Sequence, residues 1–197
     1  MELQALLRSK ISIALCFLLL RCEPNTTENS KNTPLFNMEK VMLTMDNGLV
    51  LYEQKPFTGR LYTLFPSTTD TAELLNYLDG REHGEWKKFY PSTKIKEIRY
   101  FKNGQKTGIF NVWWENGKKQ LEYYFVANEY EGKCKEWNEQ GQLSRLMNYR
   151  KGQEEGVQKW WYDGGKIKAN YLIKNGRRYG LLGTKNCINV SDNIFKN

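Results

Sequence analysis

The chain has 197 residues, of which 40% are hydrophobic and 26% charged, and its formal net charge is +8. This composition is that of a folded, soluble protein and excludes a disordered chain, which buries too little apolar surface to fold. The single histidine also leaves little to build the usual metal or acid–base sites.

Residues 1–21 are predicted to be a signal peptide. Arg8 and Lys10 form a basic start, and an apolar core runs from Ile11 to Leu20. That core is too short to span a bilayer, because a spanning helix needs about 20 residues. Cys22 lies just after this core and resembles the lipidated first residue of a bacterial lipoprotein. Arg21, directly before it, departs from such signals, which prefer a small residue there. We expect lipidation at Cys22; an ordinary cleaved signal and a short uncleaved anchor are the alternatives.

Residues 22–40 are predicted to be a flexible tether, and residues 41–183 a repeat region. The segment from Glu23 to Pro34 has no apolar residue to bury. Order is expected to begin between Leu35 and Leu43. A turn at Asp46-Asn47-Gly48 and a strand from Leu49 to Tyr52 follow.

Glycine recurs at a fixed interval through the repeat region. The spacing is 24 residues, with one initial spacing of 25, at Gly59, Gly84, Gly108, Gly132, Gly156 and Gly180. Aromatic residues dominate the fifth position after each glycine, which holds Leu64, Phe89, Trp113, Trp137 and Trp161. They also dominate the sixth position, which holds Phe65, Tyr90, Trp114, Asn138 and Tyr162. A period of this length indicates a repeat architecture.

Each repeat is predicted to be one β-hairpin. Leu121, Tyr123 and Phe125 alternate with other residues, and a period of two is typical of a strand with one apolar face. Turn pairs such as Asn103-Gly104 and Asn175-Gly176 occur about every dozen residues. The expected fold is all-β, an elongated single-layer antiparallel meander of about five hairpins. Residues 184–197 are expected to cap its last edge.

The repeat resembles the MORN-repeat variant, in the form found in bacterial proteins of the YwqK-type antitoxin family. The resemblance covers roughly Asp46 to Gly180 and is closest in Gly84-Glu85-Trp86-Lys87-Lys88-Phe89-Tyr90 and in Gly164-Gly165-Lys166-Ile167-Lys168. The second position after the glycine departs from that pattern, because Cys134 and Gln158 replace an aromatic residue there. The resemblance implies a repeat fold and, as one option, an antitoxin that binds a partner toxin directly.

No catalytic residue, metal site or cofactor is expected, since the chain has no nucleophile elbow and no phosphate loop. His83, the only histidine, is predicted to occupy a turn. The best candidate binding surface is formed by the aromatic rows, at Phe89, Tyr90, Trp113, Trp114, Trp137, Trp161 and Tyr162. The alternative is that these rows only pack the meander together.

Basic residues follow the turns, as at Lys118-Lys119 and Arg177-Arg178. A solvated face is the simplest explanation, and attraction to anionic lipid or an envelope polymer is the alternative. Nucleic acid is not expected, because exported proteins rarely meet it. The predicted function is a non-catalytic binding or scaffold protein, monomeric and tethered to a bacterial envelope or secreted. Its partner would be a protein or polymer; the second option is the antitoxin, and the third an anionic membrane-surface binder.

Overall fold

The computed structural model describes residues 33–181 of the chain. The predicted signal peptide, Cys22 and the predicted cap at 184–197 lie outside these residues.

The described residues form strands joined by turns, without a helix. The eighteen strands are β1 (Leu35–Asn37), β2 (Leu43–Asp46), β3 (Leu49–Tyr52), β4 (Lys55–Pro56), β5 (Gly59–Leu64), β6 (Thr71–Leu78), β7 (Arg81–Glu82), β8 (Gly84–Phe89), β9 (Ile95–Lys102), β10 (Gln105–Trp113), β11 (Lys119–Val126), β12 (Glu129–Tyr130), β13 (Gly132–Trp137), β14 (Leu143–Arg150), β15 (Gln153–Glu154), β16 (Gly156–Trp161), β17 (Ile167–Lys174) and β18 (Arg177–Leu181). The all-β prediction is therefore confirmed, and the predicted strand from Leu49 to Tyr52 is β3.

Fifteen strands form one long sheet in which nearly every neighbour is the next long strand of the chain. Its order is β1-β5-β6-β8-β9-β10-β11-β13-β14-β16-β17-β18, and the short strands β7, β12 and β15 pair with β6, β11 and β14. The pairing is antiparallel except at one edge, where β1 lies parallel to β5. The sheet is thus the predicted meander of hairpins with one parallel strand added.

The segment predicted as a tether overlaps the folded part. Strand β1 lies within residues 22–40, and Phe36 in this strand packs against the buried cluster of Phe57, Leu61 and Leu75. A second sheet of three strands, β2-β3-β4, adds Val50 and other side chains to the same cluster. Packed structure therefore begins at β1, because the partly buried ring of Phe36 packs against this cluster at the start of the long sheet.

Two kinds of turn alternate along the meander. Two-residue turns with positive φ at both positions, such as Asn103-Gly104 and Asn175-Gly176, match the primed hairpin turns that were predicted. The longer turns lie at the other end of each hairpin, as between β8 and β9. There the Thr93 N–H bonds to the Tyr90 carbonyl, and the Tyr90 N–H to the Lys94 carbonyl. The strand register shifts just before each of these turns, as between Lys88 and Phe89, which is the behaviour of a β-bulge.

The strand register divides the side chains of the long sheet between two faces. The packed face carries cross-strand pairs such as Leu61–Leu75, Phe110–Tyr123 and Gln158–Tyr171. All buried strand residues among those described follow this face: Gly59, Leu61, Leu75, Phe101, Val112, Phe125, Cys134, Met147, Gln158, Ala169, Tyr171 and Ile173. The open face carries the alternate pairs, such as Tyr62–Leu74 and Lys135–Leu146. A single layer therefore has one packed face and one face available to a partner.

The repeat glycines are explained by backbone conformation. Gly84, Gly108, Gly132 and Gly156 have φ between +68° and +80°, a region that side chains other than glycine rarely adopt. A Cβ atom at these four positions would meet nothing closer than 3.7 Å. The period read from the sequence thus marks a left-handed residue in these four repeats, whereas Gly59 has no positive φ and a Cβ atom there would lie 2.6 Å from the Phe57 ring.

Candidate binding surface

The predicted aromatic rows lie together at one end of the hairpins, beside the longer turns. We call this set the tip margin: Phe89, Tyr90, Trp113, Trp114, Trp137, Trp161 and Tyr162. The β-bulge before each turn places the residue at position five beside a residue of the next strand, as in the pairs Phe89–Ile95 and Trp137–Leu143. All members except Tyr162 are half-buried, and Tyr162 is exposed. The structure thus brings the predicted residues to a common margin.

Position six connects one repeat to the next. The Tyr90 hydroxyl donates a hydrogen bond of 2.8 Å to the Trp113 carbonyl. Trp114 Nε1 donates one of 3.1 Å to the Trp137 carbonyl. These polar atoms satisfy backbone carbonyls of the following tip, so Tyr90 and Trp114 have a structural role in addition to any binding role.

The third repeat breaks this series. Asn138 takes position six there, and its side chain bonds locally to Gln142, accepting from the backbone N–H and donating to Oε1. A shallow depression beside it is lined by Lys118, Lys119, Trp137, Gln140 and Gly141. At Trp137 the tip margin therefore has a half-buried indole ring beside two lysines.

Ring packing takes place elsewhere. On the packed face the rings form chains of contacts, such as Trp86–Phe101 at 4.7 Å and Tyr130–Tyr149 at 5.1 Å. Among the described residues, no ring pair includes Phe89, Trp113, Trp137 or Trp161. The row at position five is therefore not a stack of aromatic rings.

The two departures at position two have a structural explanation. Gln158 is fully buried, and its amide accepts from the Asn148 N–H and donates to the Asn148 carbonyl. In the first complete repeat, Trp86 Nε1 similarly donates to the Asn76 carbonyl. Cys134 is buried with a free thiol, whose pKa is raised by burial against the lowering effect of a backbone hydrogen bond from Tyr124. Side chains at position two thus form hydrogen bonds with backbone groups of the preceding strand.

Charges on the packed face are paired. Glu73 lies 2.7 Å from Lys88, Glu97 lies 2.6 Å from Arg99, and Glu136 lies 3.4 Å from Arg145. Each distance joins a carboxylate oxygen to a basic nitrogen. These three pairs therefore balance each other in charge, since each joins one acidic and one basic side chain.

Several tyrosines on the packed face resist ionisation. Burial, followed by the nearby carboxylates of Glu82 and Glu73, raises the pKa of Tyr77 to about 12. Burial and then a hydrogen bond to Glu154 raise the pKa of Tyr171 to about 12. Burial also raises the pKa of Tyr123, whose hydroxyl donates to Glu136. Tyr123 and Tyr171 are therefore neutral hydrogen-bond donors to the carboxylates of Glu136 and Glu154.

The remaining residues singled out earlier do not form a chemical site. His83 lies at the break between β7 and β8 and not in the predicted turn, since the neighbouring turn is Asp79-Gly80; its Nδ1 is 3.2 Å from Asn103 Oδ1. No cluster of acidic, histidine and cysteine side chains among residues 33–181 is suited to hold a metal ion. Within the same range, no helix is long and apolar enough to cross a membrane.

One surface feature was not predicted from the sequence. The third position after the repeat glycine holds Lys87, Asn111, Lys135 and Lys159, and the register places all four on the open face. The periodic lysine was visible in the sequence. The face of the sheet on which this lysine lies could not be predicted, because the bulges and the short strands determine the face to which each position belongs.

Comparison with known families supports the repeat assignment. Residues 82–103, 130–151 and 154–175 match the MORN repeat variant. These segments fall on three of the hairpin repeats seen in the structure. The finer resemblance to the YwqK-type antitoxin family has no support from a related sequence, since no curated protein matches the chain.

Solved structures offer only distant similarity. One is a variant of S. aureus TarM in complex with Fondaparinux, α-GlcNAc-glycerol and UDP, at 14% identity and a TM-score of 0.31. The aligned region covers 50% of this chain and 20% of the TarM chain. A second structure of TarM has 14% identity, a TM-score of 0.30 and coverage of 51% and 20%. The chain thus spans about one fifth of the length of these proteins.

Proposed function

We propose that this protein is a non-catalytic repeat scaffold, tethered to a bacterial cell envelope, that binds a protein or polymer along its sheet. MORN repeats are commonly binding and scaffold modules. The observation that carries the proposal is the tip margin, where equivalent side chains recur at positions five and six of successive hairpins. Because successive repeats are two strands apart, these side chains are spaced about 10 Å from one repeat to the next. Such a spacing suits an extended partner rather than a small molecule.

The tip margin is the proposed contact because its rings are neither stacked together nor fully buried. Trp137 is the member that lies in a depression beside Lys118 and Lys119. An indole ring with one accessible side supplies a large apolar contact at small entropic cost, which is why Trp is enriched where interfaces are strongest.

Trp137→Ala tests this role. We expect a loss of about 1–2 kcal/mol in the free energy of unfolding, between the small effect of surface changes and the 3–5 kcal/mol of a buried Trp. Partner capture by the full chain in its own cells, measured by cross-linking and quantitative mass spectrometry, should fall strongly.

Trp86→Ala is the matched control, because Trp86 lies on the packed face against Tyr77 and Phe101. The free energy of unfolding of this variant should fall by about 3 kcal/mol or more. The variant should still capture the partner at temperatures where it is folded. If Trp137→Ala lost as much stability as Trp86→Ala, the margin would be structural and the proposal would fail. Capture of a toxic protein encoded by an adjacent gene would favour the antitoxin alternative instead.

The envelope tether is a separate part of the proposal and depends on Cys22. Cys22→Ser should remove the lipid and move the protein from the membrane fraction to the soluble or medium fraction, as followed by cell fractionation and blotting. Cys16→Ser is the control, since Cys16 lies within the apolar core of the predicted signal. Unchanged membrane association of the Cys22 variant would leave the segment from Ile11 to Leu20 as the anchor.

A further inference from the structure

The open face has an excess of positive charge that the packed face lacks. Its two central rows hold five basic residues, Arg60, Lys87, Lys133, Lys135 and Lys159, against two acidic ones, Glu85 and Glu122. On the packed face, the central row together with Arg99 holds three acidic and three basic residues, which form the pairs Glu73–Lys88, Glu97–Arg99 and Glu136–Arg145. The sheet therefore separates its charges by face, although the sequence intermixes them.

Two of the four lysines in these central rows have no acidic partner. Lys87 lies 2.5 Å from Glu85, and Lys135 lies 3.3 Å from Glu122. Among the described residues, neither Lys133 nor Lys159 forms an ion pair. Their ammonium groups are thus available to an external anion.

Lys133 borders a groove between the last two complete hairpins, and Lys159 is the strand partner of Leu146, which lines the same groove. The groove is floored by Leu146, Asn148 and Val157 and bordered by Lys133. Two acidic residues at its rim are already engaged, because Glu131 accepts from the Lys151 N–H and Glu155 lies 3.5 Å from Arg150. Val157 and the neighbouring Leu172 are about 40% exposed, so apolar contacts accompany the free charges.

The lysines follow a line across the strands. Lys135 is paired with Leu146, and Leu146 with Lys159, so the two ammonium-bearing positions are two strands apart, or about 10 Å. Lys133 and Lys135 are separated along one strand by about 7 Å. A ligand that met all three would carry repeated negative charges along its length.

We propose that the open face of β13, β14 and β16 binds a soluble linear polyanion, a polymer with phosphate groups along its chain. This deepens the proposed function by giving the chemical class of one partner. A flat membrane fits less well, because neighbouring strands are rotated by about 20–25°. The lysines of successive repeats therefore point in progressively different directions, which a flexible chain can follow and a planar surface cannot.

Inorganic polyphosphate is the probe, and its affinity for the purified full chain is measured by titration calorimetry at several salt concentrations. Lys133→Gln combined with Lys159→Gln should lower the affinity about 30-fold at low salt, which is ~2 kcal/mol at 1.4 kcal/mol per tenfold. The slope of log affinity against log salt should fall by about 2, or about 1 for each lysine lost.

Lys40→Gln combined with Lys55→Gln is the control with the same change in net charge. Both lysines are exposed and lie in or beside the three-stranded sheet, away from the groove. This variant should bind polyphosphate nearly as the parent does. Equal losses in the two double variants would overturn the proposal by showing attraction to net charge alone.

Vesicles containing anionic lipid form the second arm of the experiment. If the protein bound vesicles but not polyphosphate, the proposal of a polymer ligand would be overturned and a membrane surface would be indicated. If the protein bound neither, the proposal would also be overturned. Failure of the scaffold function is distinguishable, because the two lysines lie outside the tip margin. Trp137→Ala can abolish partner capture while polyphosphate binding persists.

Discussion

Replacing Leu61 with alanine is expected to lower the free energy of unfolding by about 2–5 kcal/mol, the range for a buried leucine that leaves a cavity. Leu61 is fully buried and joins Phe57 and Leu75 in the largest described cluster, where the long sheet meets the three-stranded sheet. Neighbours from β1, β3 and β6 pack around it, so the site cannot collapse without moving several strands. Chemical denaturation of the parent and the variant measures the loss.

Leu74→Ala is the matched control for this prediction. Leu74 lies in the next strand but on the open face, opposite Tyr62, and is half-buried. The same chemical change should cost less there, about 1 kcal/mol, because less apolar surface is lost and no closed cavity forms. Similar losses at Leu61 and Leu74 would contradict the division of the sheet into a packed and an open face.

Much of the fold could be predicted from the sequence because glycine and Asn-Gly pairs mark conformations that few other residues adopt. Gly84, Gly108, Gly132 and Gly156 identify a left-handed residue in four of the repeats, and Asn103-Gly104 identifies a primed turn. Alternation then gave the packed face correctly for Tyr123 and Phe125. These signals are local, so they survive without knowledge of tertiary contacts.

Long-range packing at the start of the sheet could not be predicted in the same way. The parallel pairing of β1 with β5 joins Phe36 to Leu61, and no local pattern in the segment around Phe36 specifies it. Phe57 lies outside the strands and is nevertheless only 3% exposed. A polar, proline-containing segment before Leu35 looks like a linker even where the chain that follows it is packed.

The tip margin shows the same division between local and tertiary information. Its residues were predicted as a set because they recur at positions five and six of the repeat. Their separate roles depend on contacts 23 residues away, as in the bond from Trp114 Nε1 to the Trp137 carbonyl. Sequence periodicity identifies equivalent positions, but it does not say which of them bond to a neighbour and which remain available.

Gly80→Ala is expected to be as damaging as the loss of a buried leucine. Gly80 has φ +77°, and a Cβ atom there would lie 2.8 Å from the Val50 carbonyl oxygen and 3.1 Å from Leu49 Cβ. Its own backbone joins the two sheets, since the Val50 N–H donates to the Gly80 carbonyl and the Gly80 N–H donates to the Phe57 carbonyl, each at 2.8 Å. Left-handed strain and overpacking together should cost about 2–5 kcal/mol.

Gly48→Ala separates the two contributions, because Gly48 has φ +75° but a Cβ atom there would meet nothing within 4 Å. Gly48→Ala should lower the free energy of unfolding by about 1–2 kcal/mol, which is the cost of the left-handed conformation alone. The difference between the variants then measures the steric contact between Gly80 and β3. Amide hydrogen exchange should report the same event locally, as lost protection of the Val50 N–H in the Gly80 variant alone. If the two variants were equally stable and Val50 stayed protected, the three-stranded sheet would have to be held to the long sheet by the cluster around Leu61 rather than by the backbone of Gly80.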